Sequence, residues 1–271
     1  MNRAGTRISG APGASILETL VALILAGIVT TAIFKVYINQ HKNWSIQEHI
    51  TDMQQNARAA IDELTRQIRM AGFQIPLHLS GIQARNSNPD SLTIVYRADE
   101  CEVTTMHDMI NQTSVLQCDG QDVSCFSAGQ WVYIYHPNSG GGEFFQIDQI
   151  LPAFSHIQPA SLGLSQVYAK DAIIMALEQI TYFIDYSDTL HPRLMMQLPG
   201  RPPQVYAENI EDLQFRYRMK NGMILDVPAI ADDVREVRLS IIARAKEPDP
   251  DFPSDPYRRR AYNSSVNLRN L

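Results

Sequence analysis

The chain has 271 residues, 45% hydrophobic and 19% charged, which is ordinary for a folded protein and excludes disorder over most of its length. Its 23 lysines and arginines stand against 29 acids, a formal net charge of −6, which excludes a nucleic-acid binder held by bulk electrostatics. The three cysteines, Cys101, Cys118 and Cys125, match no zinc spacing, and no two of the seven histidines form a ligand pair by spacing.

The first 13 residues carry Arg3 and Arg7 and no acid, the character of a cytoplasmic flank, so the N-terminus is expected in the cytoplasm and the rest outside. An apolar run follows over 13–37. From Ser15 to Phe34 its one ionisable side chain is Glu18, and about 20 residues make a helix of about 30 Å, enough to span a bilayer core. A charge inside such a segment costs roughly 2.5–3.5 kcal/mol on insertion scales, so Glu18 needs a reason. A secretory signal would place small residues after the apolar run; here they precede it, and the run flows into a second helical pattern. The plain alternative is a signal anchor in which Glu18 snorkels to the interface.

Gly13 stands immediately before Ala14, and Glu18 is then the fifth residue after a cut at Gly13. This arrangement resembles the class III signal of type IV prepilins and pseudopilins. The resemblance implies cleavage by prepilin peptidase between Gly13 and Ala14, methylation of the new N-terminus at Ala14, and pairing of Glu18 with an N-terminal amine in a growing filament. Such a cation offsets the cost of a carboxylate in low dielectric. Ala14 stands where the family usually has phenylalanine. A cut at Gly10 would move Glu18 to the eighth position.

Tyr37, His41, Lys42 and Trp44 form an aromatic and cationic band of the kind found at a membrane surface. Beyond it Ile50, Met53, Ala57, Ile61, Leu64 and Ile68 recur at steps of three and four, one stripe of an amphipathic helix, with Asp62 four residues before Arg66 on the polar side. No proline lies between Gly13 and Pro76, so a nearly continuous helix of about 58 residues and about 85 Å is expected, softened at Gly27 and ended by Gly72 and Pro76. The string MQQNARAAIDELTRQIRMAGF, from Met53 to Phe73, is similar to the segment after the membrane helix in PilW-type minor pilins.

From residue 91 the periodicity becomes strand-like, with candidates at 91–96, 131–136, 143–150, 172–186, 194–198, 213–219, 234–243 and 261–268. Turn residues separate them, at Asn88-Pro89-Asp90, Asp119-Gly120, the run from Asn138 to Gly142, and Asn221-Gly222, the clearest hairpin. Strands after a helix point to an α+β fold with a mainly antiparallel sheet. The stretches 209–217 and 233–239, with Tyr257-Arg258-Arg259-Arg260, follow the PilW order again. The implied fold is type IV pilin-like: a leader over 1–13, a transmembrane or filament-core helix over 14–37, its amphipathic half over 38–73, and a periplasmic β-rich domain over 74–271. The middle, about 75–205, matches no motif.

Three local features invite a site. Gly140-Gly141-Gly142 lacks a following Gly-Lys-Ser/Thr and lies between strands, which makes it a hairpin turn rather than a phosphate loop. The acidic, proline-rich stretch 247–256 lacks a spaced calcium-ligand loop and is expected to be an extended, solvated linker. Arg258, Arg259 and Arg260 with Tyr257 and Tyr262 form a basic-aromatic cluster, but alternate strand residues face opposite sides, against a single nucleic-acid patch. For the cysteines, an outside location favours oxidation; the pairings Cys118–Cys125, Cys101–Cys118 and Cys101–Cys125 are all open, with preference for a bridge involving Cys101.

No catalytic constellation, metal site or cofactor motif is present in the sequence pattern, so no enzyme is expected. The resemblance implies a minor pilin that primes type IV pilus assembly at or near the tip, resident in the inner membrane and then on the surface pilus. Its implied partners are prepilin peptidase, the major pilin, other minor pilins and a tip adhesin; no nucleic acid is expected. The neighbouring reading is the minor pseudopilin of type II secretion called GspJ. The rival from another class is a signal-anchored periplasmic enzyme or binding domain.

Overall fold

The computed structural model describes residues 15–249, 251–252 and 254–270. The leader 1–13, with Gly13 and Ala14, lies outside the described residues. One helix, α1 (Ile16–Met70), runs for 55 residues without proline. The chain divides into two units, the first reaching Ile50 and the second beginning at Thr51.

In the first unit the apolar side chains of α1 face outward all round; Ile16 is 84% exposed and Phe34 61%. This is one helix long and apolar enough to cross a membrane. Three hydroxyls inside it bond back along the helix: Thr19 Oγ1 to the Ile16 carbonyl, Thr30 to Ala26 and Thr31 to Gly27, at 2.7–2.8 Å. Their polar groups are thereby satisfied without water.

In the second unit α1 buries Met53, Ala57, Ala60, Leu64, Gln67 and Ile68. The stripe is rotated from the one the apolar pattern marks. Ala60 is fully buried and Ile61 half-buried, because a methyl side chain lets the helix backbone approach its neighbours closely, whereas the branched side chain sits at the margin. Arg66 pairs with Glu63 at 2.6 Å rather than with Asp62, since Glu63 also accepts a bond from Gln67 and is held in reach. The helix ends at Gly72, whose φ of 77° suits glycine, and Asn270 Nδ2 donates to the Arg69 carbonyl at 3.1 Å.

Nine strands form one antiparallel sheet: β1 (Ile82–Arg85), β2 (Ser91–Thr104), β3 (Leu116–Gln117), β4 (Trp131–Tyr135), β5 (Gly142–Leu151), β6 (His156–Pro159), β7 (Ile173–Asp185), β8 (Arg193–Gln197) and β9 (Gln204–Glu208). The order is β1-β2-β7-β4-β5-β6-β3, with β8 also paired to β7 and β9 to β8. A second antiparallel sheet has the order β11-β10-β12-β13, from β10 (Ile210–Met219), β11 (Ile224–Leu225), β12 (Val234–Arg244) and β13 (Arg259–Asn267). The chain passes between the sheets at Asn209, which takes a φ of 59°, a left-handed conformation asparagine tolerates.

The fold is therefore α+β, a long N-terminal apolar helix with an antiparallel β domain. β2, β4, β5, β7, β8, β10, β12 and β13 cover the eight stretches where the strand pattern lies, while β1, β3, β6 and β9 have only two to five residues and too little alternation to stand out. Alternation along β10 buries Leu213, Phe215, Tyr217 and Met219 against Val237, Leu239 and Ile241 of β12. The hairpin at Asn221-Gly222 joins β10 to β11, and Gly222 takes a φ of 85° there. Thr65 of α1 meets Ser264 of β13, Oγ1 to Oγ at 3.3 Å, on the same face as the buried Val266.

Candidate functional site

The expected assembly residues fall in two groups. Gly13 and Ala14 lie outside the described residues. Glu18 lies in the first turn of α1, exposed, with its N–H donating to the Ser15 carbonyl at 2.9 Å. A carboxylate at a helix N-terminus faces the positive end of the helix dipole, a partial compensation that does not need a partner. Downstream, Tyr37, His41 and Trp44 form a ladder of rings with centroids 6.1 Å apart at each step, on the exposed side of the helix.

Of the three open cysteine pairings the structure takes Cys101–Cys125, which ties β2 to the loop before β4 with a Cα separation of 5.9 Å. Cys118 is a free, fully buried thiol, so it does not join Cys125 across the Asp119-Gly120 turn. Burial pushes its thiol up to about 12, with the Asp119 carboxylate adding to the effect. Beside it Asp119 holds two histidines distant in sequence, His107 at 3.0 Å and His156 at 3.3 Å, one on each carboxylate oxygen. Sequence spacing gives no hint of that trio, because it is assembled from two loops and the start of β6. Among the described residues no group of histidine, cysteine and acid is placed to hold a metal ion.

The acidic, proline-rich stretch is an irregular loop between β12 and β13, mostly exposed among its described residues as its composition suggests, but pinned at one point. Asp249 is 3% exposed and accepts Arg258 through both Nε and Nη2 at 2.8–2.9 Å, while the Arg258 guanidinium lies 4.1 Å from the Phe252 ring. Its neighbour Arg259 is bound to Glu211 and Asp255, which hold the guanidinium above its ordinary range, Glu211 contributing most. Arg260 lies over Tyr262 at 5.5 Å. The arginine run is thus spread over three different sets of partners, and two of its members are matched by carboxylates. Arg244, from β12, adds a 4.3 Å contact with the Tyr257 ring and a long pair with Glu211.

A feature with no sequence signal is a cleft of about 520 Å³ in the nine-stranded sheet. On one edge of β7, residues Ile173, Ile174 and Met175 pair with β4, and Thr181 to Asp185 pair with β8. Among the described residues no strand pairs with the edge between them, 176–180, and the cleft opens there. Its walls include Asp99 from the bulge in β2, Trp131 at the start of β4 and Pro199 after β8. The indole Nε1 of Trp131 is buried and has no hydrogen-bond acceptor. Gly200 packs on that indole so closely that a Cβ there would stand 2.4 Å from Nε1. Elsewhere Glu143 accepts Ser165 Oγ at 2.8 Å and the Tyr168 hydroxyl at 3.1 Å, tying β5 to the loop before β7. This ties a loop down; among the described residues no histidine is bonded to the serine to take its proton.

In comparisons with protein families, curated proteins and solved structures, nothing matches this chain.

Proposed function

We propose that the protein is a minor pilin of the PilW kind that primes type IV pilus assembly at or near the filament tip, acting through packing rather than catalysis. One observation carries the reading. α1 is a single unbroken helix that exposes an apolar surface all round in its first part, with Glu18 as the one charge between Ser15 and Phe34, and packs a narrow stripe into a β domain in its last part. A helix built only to tether a domain needs neither the charge nor the continuity. In a filament the first part packs among the helices of other subunits, and the N-terminal amine of a neighbour, freed at Ala14 by prepilin peptidase, meets Glu18. On this reading the chain sits in the inner membrane with its β domain in the periplasm before it enters the pilus.

Mass spectrometry of the N-terminus, from cells with and without prepilin peptidase, tests this. A methylated Ala14 is expected in the first and an unprocessed chain in the second. An intact Met1 in both would sink the pilin reading in favour of a tether. Deleting the gene should then remove surface pili and leave protein secretion intact; the reverse outcome would assign it to a secretion pseudopilus.

A further inference from the structure

The free stretch of β7 can be resolved to individual backbone groups. β2 pairs with β7 so that Val95 lies opposite Gln179 and Arg97 opposite Leu177. The Val95 N–H donates away from β7, to Gly81 at 3.0 Å, and the Arg97 N–H to Phe73 at 2.9 Å; the Val95 carbonyl accepts from Gly72 at 2.9 Å. In an antiparallel ladder the residue facing such a position also turns its N–H and C=O away from the pair. Leu177 and Gln179 therefore aim their N–H and C=O groups at the other edge, the one that β4 has left after Met175 and β8 has not reached before Thr181. Among the described residues no strand pairs with these four backbone groups in the middle of the sheet. Leu177 is 5% exposed, so the vacancy lies at depth, where an unpaired backbone group is costly.

The gap is fixed in place. Pro199 has no N–H with which to continue β8 along β7, and the chain turns off through Gly200 at a φ of 65°. At the other end Gly129 donates to Ile147 at 2.7 Å and Ile147 to Gln130 at 2.9 Å, which carries the start of β4 toward β5. The Cys101–Cys125 bridge pins the loop that forms this wall to β2. The cleft lining carries two carboxylates, Asp99 and Glu178, against one guanidinium, Arg201, and the unsatisfied indole N–H of Trp131.

We propose that this fork is a strand-addition site, which takes a short extended segment of a partner protein antiparallel to β7, with a basic side chain of that segment directed to Glu178. Backbone bonds to Leu177 and Gln179 supply the binding, and the carboxylates supply the choice of side chain. The inference stands on the sheet geometry and is independent of whether the chain enters a pilus.

The full-length protein in phospholipid nanodiscs is the material for the test, with amide exchange read by NMR. In the free protein the Leu177 and Gln179 amides should exchange about tenfold or more faster than those of Met175 and Thr181, which have partners on the same edge. The probe is the capped pentapeptide Val-Thr-Lys-Thr-Val, added to about 1 mM, a weak-binding regime. It should slow both amides, while the same peptide N-methylated on its backbone should not. Glu178→Lys should transfer the preference to Val-Thr-Glu-Thr-Val, and Glu178→Gln, the milder change, should abolish the preference while leaving the spectrum folded. Equal protection of all four amides in the free protein would overturn the proposal, as would a lysine peptide that leaves both amides unprotected or a preference unchanged by either variant.

Discussion

Asp90 and Phe215 are 125 residues apart in the chain and joined by one hydrogen bond, the Phe215 N–H donating to Asp90 Oδ2 at 2.8 Å. The Asp90 N–H donates in turn to the Leu213 carbonyl at 2.9 Å, and Oδ1 accepts from the Ser87 N–H at 3.1 Å. The turn between β1 and β2 is thereby fastened to β10, and one carboxylate links the nine-stranded sheet to the four-stranded one. Burial raises the Asp90 carboxyl above its ordinary range, opposed by the two amides it accepts.

Replacing Asp90 with alanine leaves the buried Phe215 amide without an acceptor, which costs about 1–3 kcal/mol. Asn keeps an oxygen for Phe215 and turns its amine toward the exposed Ser87, whose N–H can take water instead. The Asn variant should therefore lose less than half of what the Ala variant loses. Urea midpoints followed by Trp131 fluorescence compare the two, and equal losses would show that the charge, not the acceptor, matters.

Much of this architecture is legible in the sequence, and the limits have physical causes. The apolar run, the stripe from Met53 to Ile68 and the alternation along β10 and β12 are long periodic signals that tertiary structure has no reason to override. The rotation of the stripe toward Ala60 was hidden because hydropathy ranks Ile61 above alanine, while close packing favours the smaller side chain. Asp90 reads as a turn residue after proline; its partner is chosen by a sheet contact that no local pattern encodes. The cleft is the extreme case, since it exists where β4 and β8 fail to meet along β7, and an unpaired edge has no composition of its own. Within the mostly exposed loop 247–256 the burial of Asp249 is illegible for a related reason: an aspartate among prolines looks solvated until Arg258 arrives from beyond it.

Leu64 is fully buried on α1, between Ala60 and Ile68, which are also fully buried. Leu64→Ala should destabilise the β domain by about 2–5 kcal/mol, through lost burial and the cavity left behind. The exposed Leu23, in the first part of the same helix, should tolerate alanine with no change in that unfolding transition. The contrast tests whether the two parts of α1 serve different purposes.

Cys118 should resist alkylation by iodoacetamide at pH 8 in the native protein, because its thiol is buried and its proton is held to about 12. Denaturant should expose it as the one reactive cysteine, with Cys101 and Cys125 appearing after reduction. Opening that bridge, which closes a loop with a sequence separation of 24, should cost about 3 kcal/mol on the chain-entropy account. Native mapping that labels Cys118 within minutes would contradict the packing described.

Glu18→Gln separates an assembly charge from an incidental one. The substitution lowers the cost of membrane insertion, which for a central carboxylate is about 2.5–3.5 kcal/mol, so levels in the membrane should hold or rise. On the pilin reading proposed above, incorporation into sheared filaments should nevertheless fall, because glutamine cannot form the proposed ion pair with a neighbour's amine. Unchanged incorporation would mean that Glu18 does no more than sit at the helix start.

Glu236 accepts Arg238 at 3.0 Å and Arg218 at 3.4 Å, and these guanidiniums hold its carboxyl below the ordinary range, Arg238 most strongly. A depressed folded value means that the unfolded chain binds the proton more readily, so the stabilisation is present above about pH 4.5, the ordinary glutamate value, and is lost as pH falls through the folded value. Glu236→Gln should consequently lower the urea midpoint at pH 7, and its gap from the unmodified protein should narrow as pH falls below about 4.5. Asp90 contributes with the opposite sign, since a raised carboxyl costs stability once it ionises and that cost is relieved in acid. It is present in both proteins and cancels in their difference. A gap between them that persists unchanged at pH 3 would assign the effect of Glu236 to packing in place of charge.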